Sequence, residues 1–587
     1  MLKLLKNLNK RDYIYVFISA GLIVFQVWLE LKMPDYMSNI TQLVQTRGAS
    51  INDILREGSY MLLCAFGSLV SAFIVGYFTS TIAASFSYRT RGKLFRKVED
   101  ISTFEVKKFS PSSLITRTTN DITQIEFLIA MGLTLMIKAP ITAVWAVTKI
   151  LNKNIEWSIL TGIAVLVLLI TIGIIMMIVM PKFKIVQELM DKINMVMREN
   201  LSGIRVVRAF NAEKYQEDKF ENVNNTLTNQ QVFNQKAFNF LSPVMYLVMY
   251  FLTLGIYFIG AMLINEANMG DKIVLFGNMI VFSSYAMQVI MSFLMLAMIF
   301  MMLPRASVSA KRINEVLDTP ISVNEGNVTM NNSDIKGCVE FKNVSFKYPD
   351  ADEYVLEDIS FKVNKGETIA FIGSTGSGKS TLINLIPRFY DATSGEILIN
   401  GIDVRDYSFE YLNNIIGYVP QKATLFSGDI LSNVSFGKNI DSKPSNKKIA
   451  DALRVSQASE FVSKLEDGEK SHIAQGGTNI SGGQKQRLSI ARTIARNPEI
   501  YIFDDSFSAL DYKTDSTLRR ELREYTKDAT VMIVAQRIGT ILNADKIVVL
   551  DNGKCVGVGT HNELMKKCKV YKEIALSQVS KEELENV

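Results

Sequence analysis

Thr368-Ile369-Ala370-Phe371-Ile372-Gly373-Ser374-Thr375-Gly376-Ser377-Gly378-Lys379-Ser380-Thr381 is the stretch from which the remainder of this 587-residue chain is read. The apolar run Thr368 to Ile372 predicts a buried strand, and the residues after Thr381 predict a helix. Between them, Gly373, Gly376 and Gly378 let backbone N–H groups wrap phosphates at a helix N-terminus. Ser374, Thr375, Ser377 and Thr381 fill out the loop, Lys379 supplies charge at the β- and γ-phosphates, and Ser380 offers a hydroxyl to Mg²⁺. A Gly-x4-Gly-Lys-Ser pattern in strand–loop–helix order points to nucleoside triphosphate binding. A second apolar strand, Ile500 to Phe503, ends at Asp504 and Asp505. A carboxylate at the tip of a buried strand beside a phosphate loop is the expected second Mg²⁺ anchor, and Asp504 takes that place.

Upstream of the loop the texture changes. Hydrophobic residues make up 48% of the chain, and the mean hydropathy is +0.16. Such an average over this length excludes an ordinary soluble enzyme and a disordered protein. The net charge of +6 is too mild to imply a nucleic-acid partner. Four separated cysteines with no CxxC pair predict neither a disulfide framework nor a zinc site. Six apolar stretches, 13–34, 58–88, 127–149, 157–181, 241–265 and 273–304, each reach the length that crosses a bilayer. The expected architecture is therefore a six-helix transmembrane bundle over 1–320, a polar linker at 321–335, and an α/β P-loop domain over 336–587.

Loop charges orient the bundle. Lys3, Lys6, Lys10 and Arg11 precede the first span. Arg89, Arg91, Lys93, Arg96 and Lys97 follow the second, and Lys182, Lys184, Arg205 and Arg208 follow the fourth. The N-terminus, the long loops and the C-terminal half are thus expected in the cytoplasm of a multi-pass cell-membrane protein. The long loops lack Gly/Pro clusters and read as spanning helices continuing into the cytosol. Lys138, inside span three, is either a functional charge or a snorkelling one. The methionines of spans five and six, from Met245 to Met302, hint at a permissive apolar cavity.

Between the two nucleotide motifs lies Ser481-Gly482-Gly483-Gln484, opening an Arg-rich helix. This resembles the signature of the ABC ATPases. Further pieces match in order and spacing: Tyr348, like the adenine-stacking aromatic; Gln421 after Pro420, like the Q-loop and its metal contact; Ser508-Ala509-Leu510-Asp511, like the D-loop; and Gln536 after a strand, where a switch histidine usually stands. Six spans followed by one such domain is similar to an ABC half-transporter of the exporter type. The resemblance implies ATP and Mg²⁺ as cofactors and two nucleotide domains packed head to tail. Each ATP would lie between one chain's phosphate loop and the signature of the other, with Ser481, Gly483, Gln484 and Asp511 serving the shared site. It also implies that loop tips near 110–120 and 208–215 dock on the nucleotide domains.

Two positions depart from the active family pattern. The residue after the Mg²⁺ aspartate, usually a glutamate base, is Asp505, and the switch position is Gln536. Gln475, before the signature, stands where many exporters have a glutamate. His472 and His561 read as structural or surface residues. Two losses at one γ-phosphate site beside an intact signature predict pairing with a second, non-identical half-transporter. The assembly resembles bacterial heterodimeric multidrug exporters, with this chain as the weakly hydrolysing subunit and a small amphipathic compound, hydrophobic or cationic, as cargo. The alternatives are a lipid or peptide exporter and an ATP-gated regulatory or channel subunit. The short segment before Tyr13 leaves no room for a processing peptidase domain, and Ile/Lys/Asn usage favours a bacterial plasma membrane.

Overall fold

In the computed structural model, residues 2–46, 50–151, 155–331, 335–437 and 444–578 are described. Of the predicted linker, 332–334 lies outside the described residues. The chain divides into two compact units, Met1–Val98 with Pro111–Asp318, and Glu99–Ser110 with Thr319–Val587.

The first unit holds six helices long and apolar enough to cross a membrane: Lys10–Gln45, Ile51–Asp100, Pro111–Leu151, Ile155–Ser202, Glu213–Glu266 and Asp271–Leu317. The second runs 50 residues, or about 75 Å at 1.5 Å per residue, more than twice what the hydrocarbon needs. The surplus forms the helical extensions that the Gly/Pro-poor loops predicted. The unit's core gathers Ile23, Val27 and Leu31 from the first helix, Trp157 from the fourth, Leu252 and Ile256 from the fifth, and Phe282 and Tyr285 from the sixth.

Sequence reasoning saw Lys138 as a lone charge, but the structure gives it a partner. Its Nζ lies 2.8 Å from Glu30 Oε1, which also accepts from Gln26 and Ser68. One turn further along the first helix, Asp35 takes Lys149 at 3.0 Å and the Tyr285 hydroxyl at 2.8 Å. Lys138 is thus neither free to repel a cationic cargo nor snorkelling alone; it ties the first and third helices. A buried ion in this setting is stable only while paired. Glu30→Gln is therefore expected to lower unfolding stability by about 2–3 kcal/mol, and Glu30→Gln with Lys138→Met should recover most of it. Thermal unfolding in detergent measures both; equal loss in the single and double variants would refute the pairing.

The second unit is built on a ten-stranded sheet. Five strands run parallel, in the spatial order Ile416–Val419, Ile500–Asp504, Thr530–Val534, Thr368–Gly373 and Lys546–Asp551. Their near-continuous apolar sequences suit burial on both faces, and Ile500–Asp504 and Thr530–Val534 are buried at every position. Antiparallel strands, among them Val339–Phe346, Leu356–Val363 and Ser394–Ile399, extend the sheet on the side of Lys546–Asp551. The segment after Thr319 is pinned rather than free. Val328 N–H donates to Asp406 O at 2.8 Å, and Ser408 N–H to Val328 O at 3.0 Å. Gly326 is required there, because an added Cβ would lie 2.2 Å from the Asp406 carbonyl.

The docking tip falls upstream of its expected place. Glu99–Ser110, not Pro111–Asn120, belongs to the second unit. Within it the short helix Thr103–Lys108 packs Phe104 on the sheet's core, and Lys107 Nζ donates to the Tyr390 hydroxyl at 3.2 Å. The helix Pro111–Thr118 buries no side chain. An aromatic anchor, rather than loop position, decides which turn docks.

Candidate phosphate site

Strand register brings the motifs together. Val534 pairs with Asp504 on one side and Phe371 on the other, and Val419 pairs with Phe503. The segments after these four strands, carrying Gly373–Gly378, Asp505, Gln421 and Gln536, therefore leave the sheet at one edge. That is the carboxyl end of the parallel strands, where open α/β sheets bind ligands.

Glycine is obligatory at two points of the loop. Gly373 has no room for a Cβ, which would meet Leu550 O at 2.1 Å, and Gly378 has φ +94°. Lys379 folds back along the loop, its Nζ donating to Gly373 O at 2.9 Å and Ser374 O at 2.7 Å. Burial pushes its pKa down, opposed by the carboxylates of Asp505 and Asp504. Ser380 Oγ donates to Asp504 Oδ1 at 2.9 Å, and the Tyr418 hydroxyl to Asp504 Oδ2 at 3.4 Å. Burial raises the Asp504 pKa, with hydrogen bonds from Ser380 and Tyr418 pulling against it. A hydroxyl and a carboxylate side by side, with no nitrogen or sulfur donor, fit a small hard cation such as Mg²⁺.

Gln421 stands elsewhere. Its Nε2 donates to Asp505 Oδ2 at 3.3 Å, and Gln536 Nε2 reaches the same oxygen at 2.8 Å. Three side chains far apart in sequence thus meet at one carboxylate oxygen. Asp505 itself sits at φ +46°, a region that Asp enters more readily than longer side chains, with its N–H on Val534 O at 3.0 Å. Burial pushes its carboxyl pKa up, against Gln421, Arg537 and Lys379. The Gln536 turn is bracketed from the C-terminal helix Lys569–Gln578. Gln578 Nε2 donates to Gln536 O at 2.8 Å, and its Oε1 accepts from Ile538 N–H at 2.9 Å.

Tyr348 stands at the lip of the loop, edge-on to Tyr390 at 5.4 Å, with its hydroxyl 3.1 Å from Thr381 Oγ1. The signature residues form helix caps. Ser481 and Gln484 make a reciprocal capping box on the helix Gly482–Arg496, and Asp511 caps Tyr512–Tyr525 through Thr514 N–H at 3.0 Å. Among the described residues, none of these caps joins the phosphate loop. Burial lowers the pKa of His561, whose Nδ1 meets the Tyr571 hydroxyl at 2.7 Å, whereas His472 is exposed. Sequence reasoning missed Tyr418 and Gln578. Neither belongs to a local pattern, and only register and helix packing deliver them to the site.

The chain matches two family models, "ABC transporter transmembrane region" over residues 15–303 and "ABC transporter" over 356–508. It is 40% identical to an uncharacterised ABC transporter ATP-binding protein of Mycobacterium tuberculosis, covering 92% of this chain and 93% of the relative. A putative multidrug export ATP-binding/permease protein of Bacillus subtilis is 31% identical, over 85% and 84% of the two chains. An ATP-dependent lipid A-core flippase of Pseudomonas aeruginosa is 30% identical, over 86% and 82%. Among solved structures, a bacterial Atm1-family ABC exporter with ATP bound superposes with a TM-score of 0.82 at 22% identity, over 98% of this chain and 100% of that one.

Proposed function

This chain belongs to the ABC transporter family as an exporter-type half-transporter, and from that premise we propose that it works with a second, non-identical half as the weakly hydrolysing subunit. The carrying observation is the single oxygen of Asp505 that holds the amides of both Gln421 and Gln536. A general base must reach the attacking water. Asp505 is one methylene shorter than the family glutamate, and a misplacement of about 1 Å costs about 100-fold in rate. Its basicity is not the deficit, since burial moves its pKa upward. Reach is the deficit, and the two amides further occupy the lone pairs.

In this reading Lys379 and the loop amides bind the triphosphate, and Tyr348 offers a ring to the base. Ser380 and Asp504 would hold Mg²⁺, with Gln421 as a further contact, and the cation would neutralise phosphate charge. Ser481, Gly483, Gln484 and Asp511 would complete the partner's competent site, as the family arrangement implies. The N-terminus and ATP-binding unit face the cytoplasm, as the Lys/Arg distribution directs, and the membrane is a bacterial plasma membrane, as the Ile/Lys/Asn usage favours. The domains follow 1–320, 321–335 and 336–587, with 208–215 as the second docking tip. The cargo is a small amphipathic or hydrophobic compound, consistent with relatives named for multidrug export and lipid flipping.

The test is to purify this chain alone and together with the product of its neighbouring gene. ATPase activity is expected to be weak alone and robust in the mixed complex. Fast hydrolysis by this chain alone, abolished by Lys379→Ala, would defeat the heterodimer reading.

A further inference from the structure

A cavity of about 640 Å³ opens between the third, fourth, fifth and sixth helices of the first unit. That volume suits a drug-sized ligand. Its apolar wall includes Phe127, Phe183, Phe238 and Met302. Two polar groups stand out. Arg305 is exposed, lies 5.9 Å over the Phe183 ring and has no ion pair among the described residues. Asn234 is 6% exposed, and its Oδ1 is buried with no hydrogen-bond partner among the described residues.

Charge and depth narrow the ligand. Among the described residues, no acidic side chain lines the cavity. Arg305 follows the uncharged run Ile273–Pro304, Phe183 follows the apolar run 157–181, and Phe238 precedes the run 241–265. The cavity therefore lies at the ends of these uncharged runs, a place where an amphiphile can keep its tail dry and its head wet.

We propose that this cavity binds an amphipathic anion, with its tail among Phe127, Phe183, Phe238 and Met302 and its anionic group on Arg305. Identifying that anion as cargo rests on the export reading; its binding does not. Arg305 disfavours a cationic amphiphile by like charge, and this replaces the cationic class as the preferred cargo.

N-lauroylglycine carries both the apolar tail and the anionic group and is the probe, with the cationic ester lauroylcholine as its counterpart. Equilibrium binding is measured on the full chain in phosphatidylcholine nanodiscs without nucleotide. The expected result is saturable binding of N-lauroylglycine about tenfold tighter than lauroylcholine, reduced about tenfold by Arg305→Gln and largely kept by Arg305→Lys. Equal affinity for the two probes, which needs no variant to fold, or an unaffected Arg305→Gln, overturns the site. Repeating the measurement with phosphatidylglycerol in the disc separates the sources of the same chemistry: competition supports the site with a bilayer lipid as occupant, and its lack supports the site with a water-borne amphiphile. In inside-out vesicles containing both halves, ATP-driven accumulation of N-lauroylglycine lost on Arg305→Gln establishes it as cargo. Binding without such accumulation, while another amphiphile is pumped, overturns the cargo assignment alone. Binding with no ATP-driven pumping of any probe instead sinks the export reading.

Discussion

Gly483→Asp in the assembled two-chain exporter is expected to cut total ATP turnover by about 100-fold or more, whereas Asp505→Asn changes it less than about twofold. The contrast follows from which chain's ATP each residue touches. Gly483 lies in the first turn of the helix Gly482–Arg496, whose free N–H groups are suited to an anion. In the proposed pair that anion is the phosphate on the partner. A carboxylate there opposes phosphate at close range, yet it favours the helix itself, since acidic residues complement its N-terminal dipole. The variant should therefore fold. A Cβ at Gly483 comes within 3.2 Å of Ala509 O, a contact that a shift of a few tenths of an ångström relieves. Asp505, by contrast, would serve the weakly hydrolysing site of the proposed pair, so its loss should subtract little. Steady-state phosphate release from the purified complex reads both. A large fall with Asp505→Asn and a small one with Gly483→Asp would reverse the assignment of competent and weak sites.

Asp505→Glu combined with Gln536→His should raise hydrolysis at this chain's own site by about 10- to 100-fold. The added methylene restores reach toward the attacking water. The histidine removes the amide that Asp505 Oδ2 accepts at 2.8 Å and supplies a group able to carry charge beside the γ-phosphate. One term opposes the gain. Position 505 has φ +46°, where Glu is less at ease than Asp, a backbone cost of about 1–2 kcal/mol. That cost is charged to stability rather than to the chemical step, so the variant is expected to melt slightly earlier while turning over faster. The measurement is single-site turnover in a complex whose partner site has lost its phosphate-loop lysine. No gain in the double variant would move the cause of weak hydrolysis away from these two side chains.

The phosphate loop, the signature and the strand-end carboxylates were legible from sequence because each is a local statement. A glycine at positive φ, a lysine six residues after the first loop glycine and a serine capping its own helix are constraints among residues close in sequence. Span number and the helical extensions were legible for a similar reason, since the length of an uncharged run translates directly into rise along an axis. Lys138 shows where such reasoning ends. Its partner Glu30 lies 108 positions away, and only packing of the first helix on the third makes them neighbours. The docking turn was displaced for the same reason, because Phe104 needed an apolar surface built from sequence more than 200 positions away to bury against.

Sequence by itself determined the groups on offer: a phosphate-loop motif, a serine hydroxyl and a strand-end carboxylate, an aspartate one position later, and six segments able to cross a bilayer. Tertiary structure decided what those groups do to one another. Parallel-strand register placed Gln421 and Gln536 on the same oxygen of Asp505, and helix packing neutralised Lys138 while leaving Arg305, at a cavity wall, without an ion pair among the described residues. The division is physical. Backbone geometry and apolar length are set by residues a few positions apart, whereas the partner of a charge or an amide depends on which distant segments share the same few ångströms.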